Sequence, residues 1–449
     1  MRDPRIDAAR ERSIHEWQEF CRFPSVAGDL DAINAAADWL EQKLRALSDR
    51  IERIEIPEYG PVVVAYFPGI STTTLMLYNH YDVQPAGELD RWESGPFDSQ
   101  IRDGAMYARG ACDDKADVTS RLRALELFIE DHPEGLPYSI IYLADPCEEI
   151  GSPGLETVLR ENSERLSSDA VLWESYLRED DGRPAVGFGC RGGMEISLSL
   201  NILASNQHPS YSQILRSAPL ELMRAITSLV DEDGLILVPG FTESALRPDA
   251  AAKARTQELS LPGDAISLPG ISPLQNFSEE ELKERFIFTP SMSLSGFDLD
   301  PSVRQSIPAS GSARVRFGLV PGMDPHACFD SVKSFLSTTA PDIDVELIRT
   351  MQPAFSPVDT PFAVSVLEAA ANTFEAKPVI YDVMTGSGPG AFFLEHLGAP
   401  LISPTGTLRP EGNMHGYNEH GYLEDYLTHI QFTFDLLNNL EAHEFANND

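Results

Sequence analysis

The residues able to do chemistry in this 449-residue chain sit in short polar blocks. His80-Tyr81-Asp82-Val83-Gln84-Pro85 follows an apolar run, and Arg109-Gly110-Ala111-Cys112-Asp113-Asp114-Lys115 comes later. In a His-x-Asp triplet at a strand end, the imidazole can face a metal while the carboxylate holds the other ring nitrogen. Alone, each block also describes an ordinary polar strand end or solvated turn. Glu148-Glu149 says more. Adjacent residues at a strand end point in different directions. One carboxylate can therefore bind metal while its neighbour takes a proton from a metal-activated water. His415, in Asn413-Met414-His415-Gly416-Tyr417-Asn418-Glu419, is by itself an ordinary loop histidine.

The elements that must position these residues read as an α/β pattern. Residues 29–47 and 117–130 carry apolar residues at helical spacing. Apolar runs at 74–77, 139–144 and 170–173 stop at or near His80, Glu148-Glu149 and Glu174. Short apolar strands alternating with helices imply a largely parallel sheet. Ligands of such sheets bind beyond the carboxyl ends of the strands. His80, Glu149 and Glu174 are thereby expected on one sheet edge.

After Arg191-Gly192-Gly193 the pattern changes. Residues 194–203 alternate as a half-buried strand should, and 219–230 read as a helix. Residues 239–290 form a Pro- and Gly-rich insertion with a short helix at 278–285. A strand at 313–320 and a helix at 325–338 follow, and the α/β pattern resumes with a strand at 378–382 and a final helix at 423–438. The expected organisation is a catalytic domain in two segments, 1–193 and 351–449. An α+β module, 194–350, is inserted between them.

Composition narrows the function. Lys+Arg number 34 against 70 Asp+Glu, a formal charge of −36 that disfavours nucleic acid and anionic membrane partners. No apolar run reaches the ~18 residues of a membrane span. The polar amino terminus does not read as a secretory signal. Five scattered cysteines suggest a reducing compartment without disulfides, so the cytoplasm is expected.

Together the blocks resemble the M20 family of metallopeptidases, which includes dipeptidases, carboxypeptidases and amidohydrolases. The likeness runs through Asn79 to Pro85, Trp92 with Gly95-Pro96-Phe97, and Ile101-x-Asp103-Gly104-x-x-Tyr107-x-Arg109-Gly110-x-x-Asp113-Asp114-Lys115. It continues through Glu148-Glu149-x-Gly151-Ser152 and His415-x-x-Asn418-Glu419. The resemblance implies a binuclear site, most often zinc, with Mn2+ or Co2+ as alternatives. Asp113 would bridge two ions, one completed by His80 and Glu174, the other by Glu149 and His415. Glu148 would be the general base and Asp82 the orienter of His80. The inserted module would be a lid and dimerisation domain. Within it, His208 of Gln207-His208-Pro209-Ser210 would reach the active site of a partner subunit, making the active form a homodimer.

Two positions depart from the family pattern. Ala108 replaces a customary glycine, and Gly318 stands where the family carries an arginine that grips a substrate carboxylate. Arg316, two residues earlier on the same strand face, is a displaced substitute about 7 Å away. Gly386-Ser387-Gly388-Pro389 resembles the family's substrate loop, making Ser387 and Gly388 candidate substrate contacts through backbone NH groups at a helix start. The expected reaction is hydrolysis of a C–N bond in a dipeptide or N-acyl amino acid. The missing arginine keeps open a small non-peptide amide, or an amine removed by hydrolytic deamination. A third reading, a non-catalytic binding protein, requires lost ligands, and none is lost.

Overall fold

In the computed structural model, which describes residues 2–261, 277–299 and 305–440, two sheets organise the chain. The central sheet has the spatial order Ile51–Ile56, Gly60–Phe67, Ser139–Asp145, Thr74–His80, Ala170–Leu172, Leu401–Ile402. The two pairings among the first three strands are antiparallel, and the remaining three pairings are parallel. This is an α/β fold with a mostly parallel sheet. Register sets the working edge: His80 lies opposite Asp145, and Leu77 lies opposite both Tyr142 and Leu172.

Burial on both faces explains the strand sequences. In Gly60–Phe67, Val63 and Ala65 join one core with Leu40 and Leu44 of the Leu30–Arg45 helix. Val62, Val64 and Tyr66 join another core with Leu155 and Leu159. A strand buried on both sides has no polar face to alternate with, which is why Val62-Val63-Val64-Ala65 is continuous. Helices Lys115–Asp131 and Leu423–Asn439 pack on the first face through Leu122, Leu125, Phe432 and Leu436.

The second sheet is antiparallel, ordered Ser291–Asp298, Ser310–Leu319, Gly189–Asn201, Asp344–Met351. Gly189–Asn201 belongs to both bodies. Its first residues pair with Ala354–Phe355 and Met384–Ser387, and the stretch from Gly192 onward pairs with strands of the second sheet. From Met194 it alternates buried and half-buried positions, packing Met194, Ile196, Leu198 and Leu200 against helices Ala218–Thr227 and Pro325–Thr339.

Differences from the sequence reading are mostly of extent. The strand expected to begin at 194 begins at Gly189, and the helix expected at 117–130 begins at Lys115. The short helix of the Pro-rich insertion is Glu279–Phe288, closed by a capping box between Ser278 and Glu281. Part of that insertion, 262–276, lies outside the described residues. Unforeseen were the Ile51–Ile56/Gly60–Phe67 hairpin and the helices Pro4–Ala8 and Arg10–Cys21. All five cysteines are buried and free. Among the described residues no helix is long and apolar enough to cross a membrane.

Candidate metal centre

Three strand ends and two loops deliver the polar cluster. His80 is the last residue of its strand. Glu148-Glu149 open a short 3-10 turn after Asp145, and Glu174 follows Ala170–Leu172 by two residues. Asp113 lies just before the Lys115–Asp131 helix. His415 comes from a loop in which it, Asn413 and Asn418 all adopt left-handed backbone (φ 61°, 53° and 57°). Non-glycine residues held there cost local strain, which surrounding structure must offset.

Asp113 stands between two imidazoles. Its Oδ1 is 3.0 Å from His80 Nε2, and its Oδ2 is 2.9 Å from His415 Nε2. Glu174 Oε2 lies 3.5 Å from His80 Nε2, and Glu149 Oε2 lies 3.1 Å from His415 Nε2. Two triads of closely spaced donor atoms result: Asp113, Glu149 and His415 in one, His80, Asp114 and Glu174 in the other. Within the second triad, Asp114 Oδ2 is already engaged by Asn79 Nδ2 at 2.7 Å and by the His80 backbone NH at 3.2 Å. Asp113, whose oxygens face one imidazole each, is better placed to join both groups.

The electrostatics call for cations. Burial pushes the Glu148 and Asp114 carboxyls well above the usual range, helped by Glu174 and Asp117 respectively. Burial also raises Glu174 to about 7 and lifts Glu149, the latter aided by the charge of Asp113. Hydrogen bonds to Asp113 and Glu149 raise His415 to about 10. Burial opposes charge on His80, but Asp113 and Asp82 outweigh it and hold its pKa well above the ordinary value. Asp113 is held below the usual carboxylate range because the two histidines overcome its burial. Buried Glu174 Oε2 accepts no hydrogen bond among the described residues. A buried carboxylate oxygen without a hydrogen-bond donor in such a cluster fits a divalent cation, and a His-plus-carboxylate set without cysteine suits a hydrolytic zinc centre.

Comparison with known proteins bears on the same residues. Residues 76–439 match Peptidase family M20/M25/M40. The chain belongs to this family. Beta-Ala-His dipeptidases of Mus musculus and Homo sapiens are 29% and 28% identical over 262 and 322 residues. Those stretches cover 56% and 69% of this chain, but only 52% and 62% of the relatives' own length. The M20 family metallo-carboxypeptidase Sso-CP2 from Sulfolobus solfataricus superposes with a TM-score of 0.87 at 26% identity, covering 95% of this chain and 98% of that one.

Within this M20 chain, further residues hold the cluster in place. Buried Asp82 accepts from the backbone NH groups of Glu148 (3.0 Å) and Glu149 (3.1 Å) and sits 3.2 Å from His80 Nδ1. Gln84 donates to Glu149 through its backbone NH (3.2 Å) and its Nε2 (2.9 Å). Arg121, fully buried, donates to the carbonyls of Tyr78 (2.7 Å), Leu172 (3.4 Å) and Trp173, tying two strand ends together. Arg109 pairs with Glu419 at 2.5 Å and donates to the His415 carbonyl at 3.3 Å, while Glu419 accepts from the Cys112 NH at 3.1 Å. This buried pair fastens the loops that carry Asp113 and His415.

Glu148 differs from its neighbours. Its carboxylate has no hydrogen-bond partner among the described residues and lines two adjoining cavities, of about 510 and 330 Å3. Ser387 borders both cavities, and Gly388 lines the smaller one. A Cβ on Gly388 would lie 3.6 Å from Glu148 Oε1. Arg316 lines the larger cavity, exposed and without an ion-pair partner among the described residues. At Gly318 a Cβ would meet Ser291 Oγ at 2.6 Å, so no side chain fits without displacing that serine. His208 does not join the cluster. It caps a short turn on the surface of the second body, its Nδ1 2.9 Å from Ser210 Oγ.

Proposed function

We propose that this chain is a binuclear metal-dependent hydrolase that cleaves the C–N bond of a small substrate, a dipeptide or an N-acyl amino acid. The observation that carries the reading is the Asp113 carboxylate shared between two imidazoles, flanked by Glu174 and Glu149. His80, Asp113 and Glu174 would hold one ion, and Asp113, Glu149 and His415 the other. Zinc suits these donors, with manganese or cobalt as alternatives. Bound there, the two ions supply Lewis acidity toward water and the scissile carbonyl. Glu148, its carboxylate without a hydrogen-bond partner among the described residues, takes a proton from the attacking water and returns it to the leaving nitrogen. Asp82 fixes the His80 ring and the Glu148-Glu149 turn.

Residues 194–350 act in this proposal as a lid and dimerisation module. Supporting it, helix Ala218–Thr227 exposes Leu220 and Met223, and Ser291–Asp298 is an edge strand among the described residues and carries exposed Leu294. In a homodimer His208 reaches the partner's metal centre and steadies the negative charge that develops on the carbonyl oxygen.

The test is Glu148→Gln. The variant keeps its metal content, read by elemental analysis, while release of amino acid from dipeptides falls by about 100-fold or more. Undiminished turnover removes Glu148 from the role of base. Gly318 favours a second reading, hydrolysis of a small non-peptide amide or amine. A panel in which aryl amides or amines turn over and dipeptides do not would establish it.

A further inference from the structure

The two cavities beside Glu148 differ in chemistry. The larger mixes polar Gln84, Glu195, Arg316 and Arg349 with apolar Ile150, Pro153, Met194 and Met351. Arg349 is neutralised by Glu195 at 2.8 Å, which leaves Arg316 as that cavity's uncompensated cation among the described residues. The smaller, about 330 Å3, is walled by Tyr176, Leu177, Met384, Leu408 and Met414 with Trp173. No lysine or arginine lines it among the described residues, and its carboxylates are those of the metal cluster and Glu148. Both cavities share Glu148, Glu149, Ser387 and His415. A linear substrate whose scissile bond lies at Glu148 therefore extends one end into each.

Resting on the hydrolase reading above, we propose that the substrate is an amino acid acylated by a group that carries a bulky apolar side chain, a dipeptide with an apolar first residue being the simplest form. The apolar group fills the Tyr176–Leu177–Leu408–Met414 cavity, and the free carboxylate lies toward Arg316. The smaller cavity offers a substrate carboxylate no arginine or lysine among the described residues, whereas Arg316 lines the larger one, and the reverse orientation leaves the Tyr176, Leu177, Leu408 and Met414 walls without an apolar group to cover them. A cavity near 300 Å3 with mostly apolar walls is of the size that encloses a small ligand. Each methylene fitted into such a pocket alters selection by about tenfold or more. Glycine as the acyl residue leaves this cavity unfilled; leucine or phenylalanine occupies it.

The test compares Gly-Ala, Leu-Ala, Phe-Ala and Glu-Ala in two ways: turnover by the metal-loaded protein, and calorimetric binding to its metal-loaded Glu148→Gln form. Phe-Ala and Leu-Ala are expected to bind at least about tenfold more tightly than Gly-Ala, with Glu-Ala the weakest. Leu177→Asn shrinks the Phe:Gly ratio. Arg316→Ala weakens all four and leaves that ratio unchanged, because the carboxylate is common to the set. Gly-Ala or Glu-Ala binding as tightly as Phe-Ala overturns the proposal, as does a ratio insensitive to Leu177→Asn. Binding in the expected order with no turnover of any member upholds the pocket assignment and counts against the hydrolase reading alone.

Discussion

Asp82 has no exposure to water, yet three groups depend on it: the His80 ring and the backbone NH groups of Glu148 and Glu149. Asn keeps the shape but loses the charge and turns one acceptor into a donor, which must then face an NH group. Removing such an outer carboxylate typically lowers metal affinity by about 10–100-fold. Asp82→Asn is therefore expected to weaken metal binding by that factor in a competition titration against a chromophoric chelator, with activity recovering at high metal. Unchanged affinity would show that His80 needs no orienter. At this scale the sequence was informative where a residue's place depends on a strand end, as for His80, Glu149 and Glu174. It was silent where direction decides. Spacing alone does not tell which carboxylate of Asp113-Asp114 faces the imidazoles, a choice that came only from the family resemblance, and Arg121 reads as one more polar residue on a helix, although it binds carbonyls at two strand ends.

Helices Lys115–Asp131 and Leu423–Asn439 meet behind the metal cluster, and a buried polar network crosses between them. Asp117 accepts from the Ser175 NH at 3.1 Å. The His429 ring lies between Ser120 Oγ at 2.8 Å and Ser175 Oγ at 3.2 Å. Since Ser175 follows Glu174, the helix pair holds a proposed ligand from behind. Burial lowers the His429 pKa to about 4, outweighing the pull of Asp117. A folded-state pKa below the ordinary 6.5 means that the unfolded chain binds the proton more readily. The contribution of a neutral His429 is thus complete above pH 6.5 and is lost as pH falls toward 4. It amounts to at most about 3 kcal/mol. Urea unfolding at several pH values should show stability falling across this window, and His429→Gln should flatten that slope. Parallel slopes would mean that His429 does not titrate on unfolding.

Both of these helices were expected from the sequence, the first from apolar residues at helical spacing. The Arg10–Cys21 helix was not, because its buried Ile14, Trp17 and Cys21 are diluted by charged neighbours. Nor was the Ile51–Ile56 edge strand, which is only partly buried.

At the scale of the molecule, the formal charge of −36 works against any association of two copies. A homodimer through the proposed module must overcome that repulsion with buried apolar surface, and residues 194–350 expose some: Leu220 is 50% and Met223 44% exposed on one helix face, and Leu294 is 50% exposed on a strand that is an edge among the described residues. Salt screens like charges over about 8–10 Å at physiological ionic strength and leaves apolar contacts intact. The dimer is therefore expected to tighten as NaCl rises, the reverse of an interface held by ion pairs. Light scattering over a salt series checks the sign. The double variant Leu220→Lys/Met223→Lys places two buried, unpaired cations in the interface and should yield a monomer that still folds, since both side chains are exposed in the single chain. If His208 serves the partner's centre, this monomer retains its metal and loses most of its turnover. A monomer with full activity would confine the reaction to one chain and leave His208 a surface residue.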